Sequence, residues 1–171
     1  MNPKIRSLSA LLCACALAIP PVALAADYSL NNGAVTFSAP DAWPMLMEKQ
    51  DGARQFIALQ VKDPSDTNAL ARITVTTEQV SGVQGFRKFV DTGTARARKL
   101  PGYAAENTAA SSSSLRYTAT ENHETNAYSE HYAYRSNLAI QVRCIRPANA
   151  PADWRNTFDA GCQSIVAAVV H

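Results

Sequence analysis

Two cysteines, Cys144 and Cys162, each lie on the apolar side of a different periodic segment, and this most narrows what the chain can become. Leu138, Ile140, Val142 and Cys144 alternate with other residues, the period-two pattern of a strand with one buried face. Trp154, Phe158, Cys162, Ile165 and Val169 recur at spacings of four, four, three and four, which is one stripe of a helix with Asp153 placed to cap it. Both sulfurs are therefore expected at one helix–sheet interface, joined in a structural disulfide. A pair of free buried thiols is the alternative. No Cys-x-x-Cys spacing supports a redox role.

A stable disulfide needs an oxidising compartment, and the N-terminus supplies an address. Lys4 and Arg6 precede an uncharged apolar run from Leu8 to Ile19, followed by Pro20-Pro21 and Val22-Ala23-Leu24-Ala25. These are the parts of a secretory signal peptide over residues 1–25, cut after about Ala25 and leaving a periplasmic domain over 26–171. The run is too short to span a bilayer, which takes about 20 apolar residues. Leu12-Cys13-Ala14-Cys15 admits a lipoprotein reading with Cys15 lipidated, against which stand a Cys at the middle position and a short apolar stretch. Removing the segment takes two of the 16 basic residues, so 14 face 14 acidic ones. A formally neutral domain lacks the positive charge that nucleic-acid binding exploits. About 146 residues make one domain, and no second run is long enough for a transmembrane segment.

Along the mature chain, Asp27–Leu30, Asn31-Asn32-Gly33 and Ala34–Phe37 predict a hairpin, since Asn-Gly suits positive φ. Pro40 and Pro44 break the sheet around Trp43. Gln55–Lys62 and Ala71–Glu78 are strand candidates, with Asp63-Pro64-Ser65-Asp66 and Asn68 in the loop between them. From Val83 a helical period takes over, with Phe86, Phe89, Val90, Gly93 and Ala97 on one side and Arg87, Lys88, Arg98 and Lys99 on the other; Pro101-Gly102 ends it. Ser111–Ser114 forms a loose strand or loop. Leu115, Tyr117 and Ala119 lead to a turn around Glu124-Thr125-Asn126. The chain returns with Tyr128, Tyr132 and Tyr134 on one face, and the even-numbered parity is expected to continue through Leu138 to Cys144.

Ala39-Pro40-Asp41-Ala42-Trp43 after a first hairpin resembles the Pro-Asp-Gly-Trp-type signature of PsbP-like and DcrB-like proteins, with Ala42 where Gly is usual. Strands Phe56–Val61 and Ala71–Thr77, a helix over Val83–Lys99, a long antiparallel return and a C-terminal helix follow in the same order. The resemblance implies an α+β fold in one domain: a curved antiparallel sheet packed between helices, an α/β/α sandwich. Because members are mostly non-enzymatic, it also implies binding rather than catalysis.

Motifs for catalysis are missing. No Gly-x-Ser-x-Gly elbow, His-Glu-x-x-His helix, phosphate-cradling glycine loop or dinucleotide fingerprint occurs. Carboxylates such as Glu121 and Glu124 fall in a polar hairpin. His123 and His131 bracket the expected turn, but a turn at Thr125 holds them roughly 13 Å apart along the strands, too far for one ion bound at about 2 Å. No catalytic residue, metal or cofactor is expected. Tyr128, Tyr132 and Tyr134 either pack as core or form a binding strip. Trp43 is either a lid on the core or part of that surface. The expected role is a non-catalytic domain binding an envelope or toxin protein, the latter as an immunity protein. A small-ligand or lipid carrier, using a cleft lined by Trp43 and the tyrosines, and an uncharacterised hydrolase are the alternatives.

Overall fold

The computed structural model describes residues 25–63, 70–106 and 113–170. Residues 1–24, which hold Cys15 and all but the last residue of the expected signal segment, residues 64–69 of the loop after Asp63, part of the serine stretch and His171 lie outside them. The order is β1 (Ala25–Leu30), β2 (Val35–Pro40), β3 (Met45–Lys49), β4 (Arg54–Lys62), β5 (Leu70–Gln79), α1 (Gly82–Ala97), β6 (Ala104–Ala105), β7 (Ser114–Glu121), β8 (Glu124–Arg135), β9 (Leu138–Pro147) and α2 (Ala152–Val170). β1 and β2 form a separate antiparallel hairpin; the rest form one seven-stranded sheet in the order β3-β4-β5-β9-β8-β7-β6, with every pairing antiparallel. The α+β sandwich expected from the sequence is the architecture observed.

One face of the sheet holds the larger core. Ile57, Leu59 and Val61 of β4, Ala71, Ile73 and Val75 of β5, and Leu138, Ile140, Val142 and Cys144 of β9 meet Phe158, Cys162, Ile165, Val166 and Val169 of α2. Leu30, Val35, Phe37 and Ala39 of the hairpin close the same core. The apolar stripe of α2 thus does what its period requires, hiding one side while the rest stays wet. Asp153 lies in the first turn of α2 instead of capping it, because the helix already begins at Ala152. Cys144 and Cys162 are bonded, with Cα atoms 6.3 Å apart.

α1 packs across β8 and β9 on the opposite face. Tyr117, Ala119, Tyr128 and Ile145 are buried there with Ala97. Phe89 meets Tyr132 edge-on at 6.1 Å, and Phe86 meets Tyr134 at 5.6 Å.

Two expectations need correction. The β8–β9 turn is the two-residue pair Ser136-Asn137, both at positive φ, so Arg135 faces Leu138 and Tyr132 faces Gln141. A two-residue turn makes even positions of β8 partner odd positions of β9, which puts the tyrosines on the α1 face and Leu138 to Cys144 on the α2 face. The preceding turn is Asn122-His123, also at positive φ, with Glu121 opposite Glu124. It lies two to three residues before the predicted centre, and His131 pairs with Ser114.

Candidate binding surface

β3 was not anticipated. It follows directly on Pro44, which ends the break around Trp43, and pairs with β4 on one side only, forming a terminal strand of the sheet. Its register shifts between Met45 and Met47, the mark of a bulge at Leu46. Met45, Leu46 and Met47 are 45%, 48% and 55% exposed and, with Val83, are the large hydrophobic residues exposed among those described. A terminal strand offers unpaired backbone donors and acceptors, and proteins normally guard such an edge with charge or brevity. Here Glu48 and Lys49 guard one end, and the other carries three consecutive apolar side chains.

Beside this edge, on the α1 face, the sheet turns polar and basic. Arg54 and Phe56 of β4, Thr74 and Thr76 of β5, Gln141 and Arg143 of β9, and Arg96 from the last turn of α1 line a cavity of about 400 Å³. Arg54, Arg96 and Gln141 also border an adjoining cavity of about 330 Å³ against Lys88 and Phe89.

The floor of this region is a buried network around Glu130. Its carboxylate accepts hydrogen bonds from Tyr117 Oη at 2.8 Å, Tyr132 Oη at 2.5 Å and Gln141 Nε2 at 2.8 Å. Arg143 Nε lies 3.0 Å from Glu130 Oε1, but its N–H is out of line and satisfies no hydrogen bond; the contact is one of charge. The Arg143 guanidinium also lies 5.2 Å from the Tyr128 ring centroid, and that ring stacks on Tyr117 at 4.6 Å. Tyr128 Oη donates to Glu121, which Arg72 grips at 2.6 and 2.7 Å. Burial, then the charge of Glu130, pushes the Tyr117 and Tyr132 phenols far above their ordinary range. Burial and Glu121 push Tyr128 up to about 12. These phenols are fixed donors, not acids or nucleophiles at neutral pH. Burial works against the Arg143 cation, but the oxygens of Tyr117 and Glu130 outweigh it and its pKa is raised.

Tyr128 and Tyr132 are therefore buried, Tyr134 is half-buried against Phe86, and Trp43 is 7% exposed. Trp43 lies against Phe158 and the bare Gly161 of α2, on the other side of the sheet from the tyrosines. The four do not share a surface, and the cavity beside α1 is walled by arginine, threonine, Gln141 and Phe56, with neither Trp43 nor these tyrosines in its lining.

A third feature went unread in the sequence. Ser129 Oγ lies 3.0 Å from His131 Nε2 on the α2 face of β8, beside a cavity of about 370 Å³ that reaches the disulfide. Burial, then Arg116, lowers the His131 pKa and favours a neutral ring. A Ser-x-His pair on one strand face is the signal that would have found it. Among the described residues no carboxylate orients His131, and Asp159 in the same cavity is held by Arg146 at 2.8 and 3.0 Å. The pair is therefore not part of a Ser-His-Asp arrangement among the described residues. Among the described residues no cluster of three or more His, Cys, Asp or Glu side chains is placed to hold a metal ion, and no helix is long and apolar enough to cross a membrane.

The fold is like that of solved sandwich structures. The chain is similar to the Saccharomyces cerevisiae Ran-binding protein Mog1p, with a TM-score of 0.51 and 10% identity over 85% of this chain and 94% of that one. It is also similar to cyanobacterial PsbP from Synechocystis sp. PCC 6803 (TM-score 0.46, 12% identity, 90% and 96% covered). LpqN of Mycobacterium tuberculosis, involved in cell envelope biogenesis, matches at a TM-score of 0.46 and 17% identity, with 74% and 76% covered. At these identities the likeness is one of fold. No family model matches the chain, and no curated protein matches it.

Proposed function

We propose that this chain is an exported, non-catalytic domain that binds another protein along the β3 edge. The observation that carries this reading is the terminal strand with Met45, Leu46 and Met47 exposed side by side. An extended segment of a partner can add to such an edge through main-chain hydrogen bonds, with alternate side chains choosing the sequence. Exposed apolar residues clustered on one edge mark interaction sites more often than idle surface. Mog1p, which shares the fold, is a Ran-binding protein, so the sandwich is compatible with such a role. The Cys144–Cys162 bond suits an oxidising compartment, in keeping with the signal-like N-terminus. A narrower form is an immunity protein that neutralises a toxin delivered to the periplasm; protection of cells expressing a neighbouring toxin would support it, and no protection against any adjacent effector would remove it.

The direct test places a photo-crosslinking residue at Leu46 in cells and a control at the exposed Glu106 on the far side of the sheet. The reading expects a discrete crosslinked protein from the Leu46 position alone. Equal, diffuse adducts from both positions would overturn it.

A further inference from the structure

We infer that the cavity between α1 and strands β4, β5 and β9 is a binding site for a small oxyanion carrying two or more negative charges, a phosphate monoester or a polycarboxylate. Its lining contains three arginines and no carboxylate. Each arginine comes from a different element, Arg54 from β4, Arg96 from α1 and Arg143 from β9, so the fold, and not a local run of charge, brings them to one cavity. Glu130 lies behind Arg143 and Glu78 stands near Arg54, so Arg96 is the guanidinium left without a counter-ion among the described residues, and an anion in the cavity would supply one. Guanidinium forks match phosphate and carboxylate oxygens in pairs, which makes arginine the residue suited to such a ligand.

The three are not equally committed to carboxylates within the protein. Arg143 is the most committed, anchored by Glu130, by the Tyr128 ring and by an Nη2 hydrogen bond to Tyr117 Oη at 3.4 Å, with its Nε buried against Glu130 and turned away from the cavity. Arg54 stands 3.7 Å from Glu78, well beyond the 2.7–2.9 Å or so of a charge-assisted hydrogen bond. Arg96 forms no ion pair among the described residues. Thr74 and Thr76 add hydroxyl donors, and Phe56 gives the apolar side against which the body of an organic anion can lie. Gln141 has already given its amide N–H groups to Glu130 and Tyr132. It therefore shapes the wall and is not needed as a donor. A volume of about 400 Å³ falls at the small-molecule end of ligand cavities; the adjoining cavity shares Arg54 and Arg96 but also carries Glu78, so the anionic groups belong in the first cavity.

This inference goes beyond protein binding and does not rest on it. The test titrates the mature, disulfide-bonded protein with inorganic phosphate and with citrate at fixed ionic strength set by chloride, following heat of binding and thermal midpoint. At least one probe should bind saturably and raise the midpoint. Arg54→Gln and Arg96→Gln should each weaken that binding by about tenfold, as loss of one charge-assisted contact implies, while circular dichroism stays native. Leu46→Lys should leave it unchanged. No saturable binding of either probe up to about 10 mM, weaker than any useful small-ligand affinity, would overturn the inference. So would binding that survives both arginine substitutions, or binding of a poly-glutamate peptide without either small probe, which would reassign the arginines to a partner's carboxylates.

Discussion

Glu130 is a carboxylate with only 3% of its side chain exposed, and it persists there because four groups attend it. Replacing it with alanine leaves the Arg143 charge buried without its counter-ion and orphans two phenols and an amide. Breaking a pair in that way costs about 3 kcal/mol, so Glu130→Ala should lower the urea midpoint with little change in its slope, and Glu130→Gln should do so less. Acid acts on two other residues of β7 and β8. The folded His131 pKa lies below its ordinary 6.5, through burial first and Arg116 second; the unfolded chain takes the proton first, so stability falls as pH drops below about 6.5. Burial would raise the Glu121 pKa, but the hydrogen bonds and charge of Arg72 outweigh it and hold the value below the ordinary 4.5. Its contribution is present above that pH and lost as pH falls through the folded value. The thermal midpoint should therefore decline in two stages on acidification, and His131→Gln should abolish the upper one only. A midpoint unchanged between pH 7 and pH 5 would contradict the His131 assignment.

Two helical glycines make sense only through what lies against them. Glycine costs about 1 kcal/mol in a helix interior relative to alanine, yet α2 keeps Gly161 and α1 keeps Gly93. A β-carbon on Gly161 would strike the Trp43 ring, and one on Gly93 would strike the Tyr132 hydroxyl. Gly161→Ala should accordingly destabilise by about 1–3 kcal/mol, the usual cost of overpacking, and shift Trp43 fluorescence; a stabilised variant would show that α2 does not seat on Trp43. The stripe of α2 was legible because burial on one face imposes a period, the first hairpin because Asn31-Asn32-Gly33 marks a turn, and β4 and β5 because Asp63-Pro64-Ser65-Asp66 and Asn68 mark the loop between them. The sequence hid the face of the tyrosines because turns at Asn122-His123 and Ser136-Asn137 hold positive φ without glycine, and a parity argument carried across an unseen two-residue turn inverts. β3 was hidden because five residues after a proline give no period to measure. The arginine cavity was illegible for another reason: Arg54, Arg96 and Arg143 lie far apart in the chain, and only the sheet order and the packing of α1 bring them together.

At the scale of the molecule, the sheet is closed on one face by α2 and the hairpin and only partly covered on the other by α1. The disulfide ties α2 to β9 across the larger core, closing a loop of 18 residues, which the loop-entropy relation values at about 3 kcal/mol. A Cys144→Ala/Cys162→Ala variant should lose about that much in urea unfolding, and reductant should do the same to the wild type while leaving the variant unmoved. A binding role requires that the open periphery, and not this core, meets the partner. Affinity capture with the wild-type mature protein and with Leu46→Lys, run in parallel on envelope extract, separates the two. The variant should keep its thermal midpoint within about a degree, as surface changes do, and lose the protein recovered with the wild type. Recovery of the same protein by a fully folded Leu46→Lys variant would contradict binding along the β3 edge.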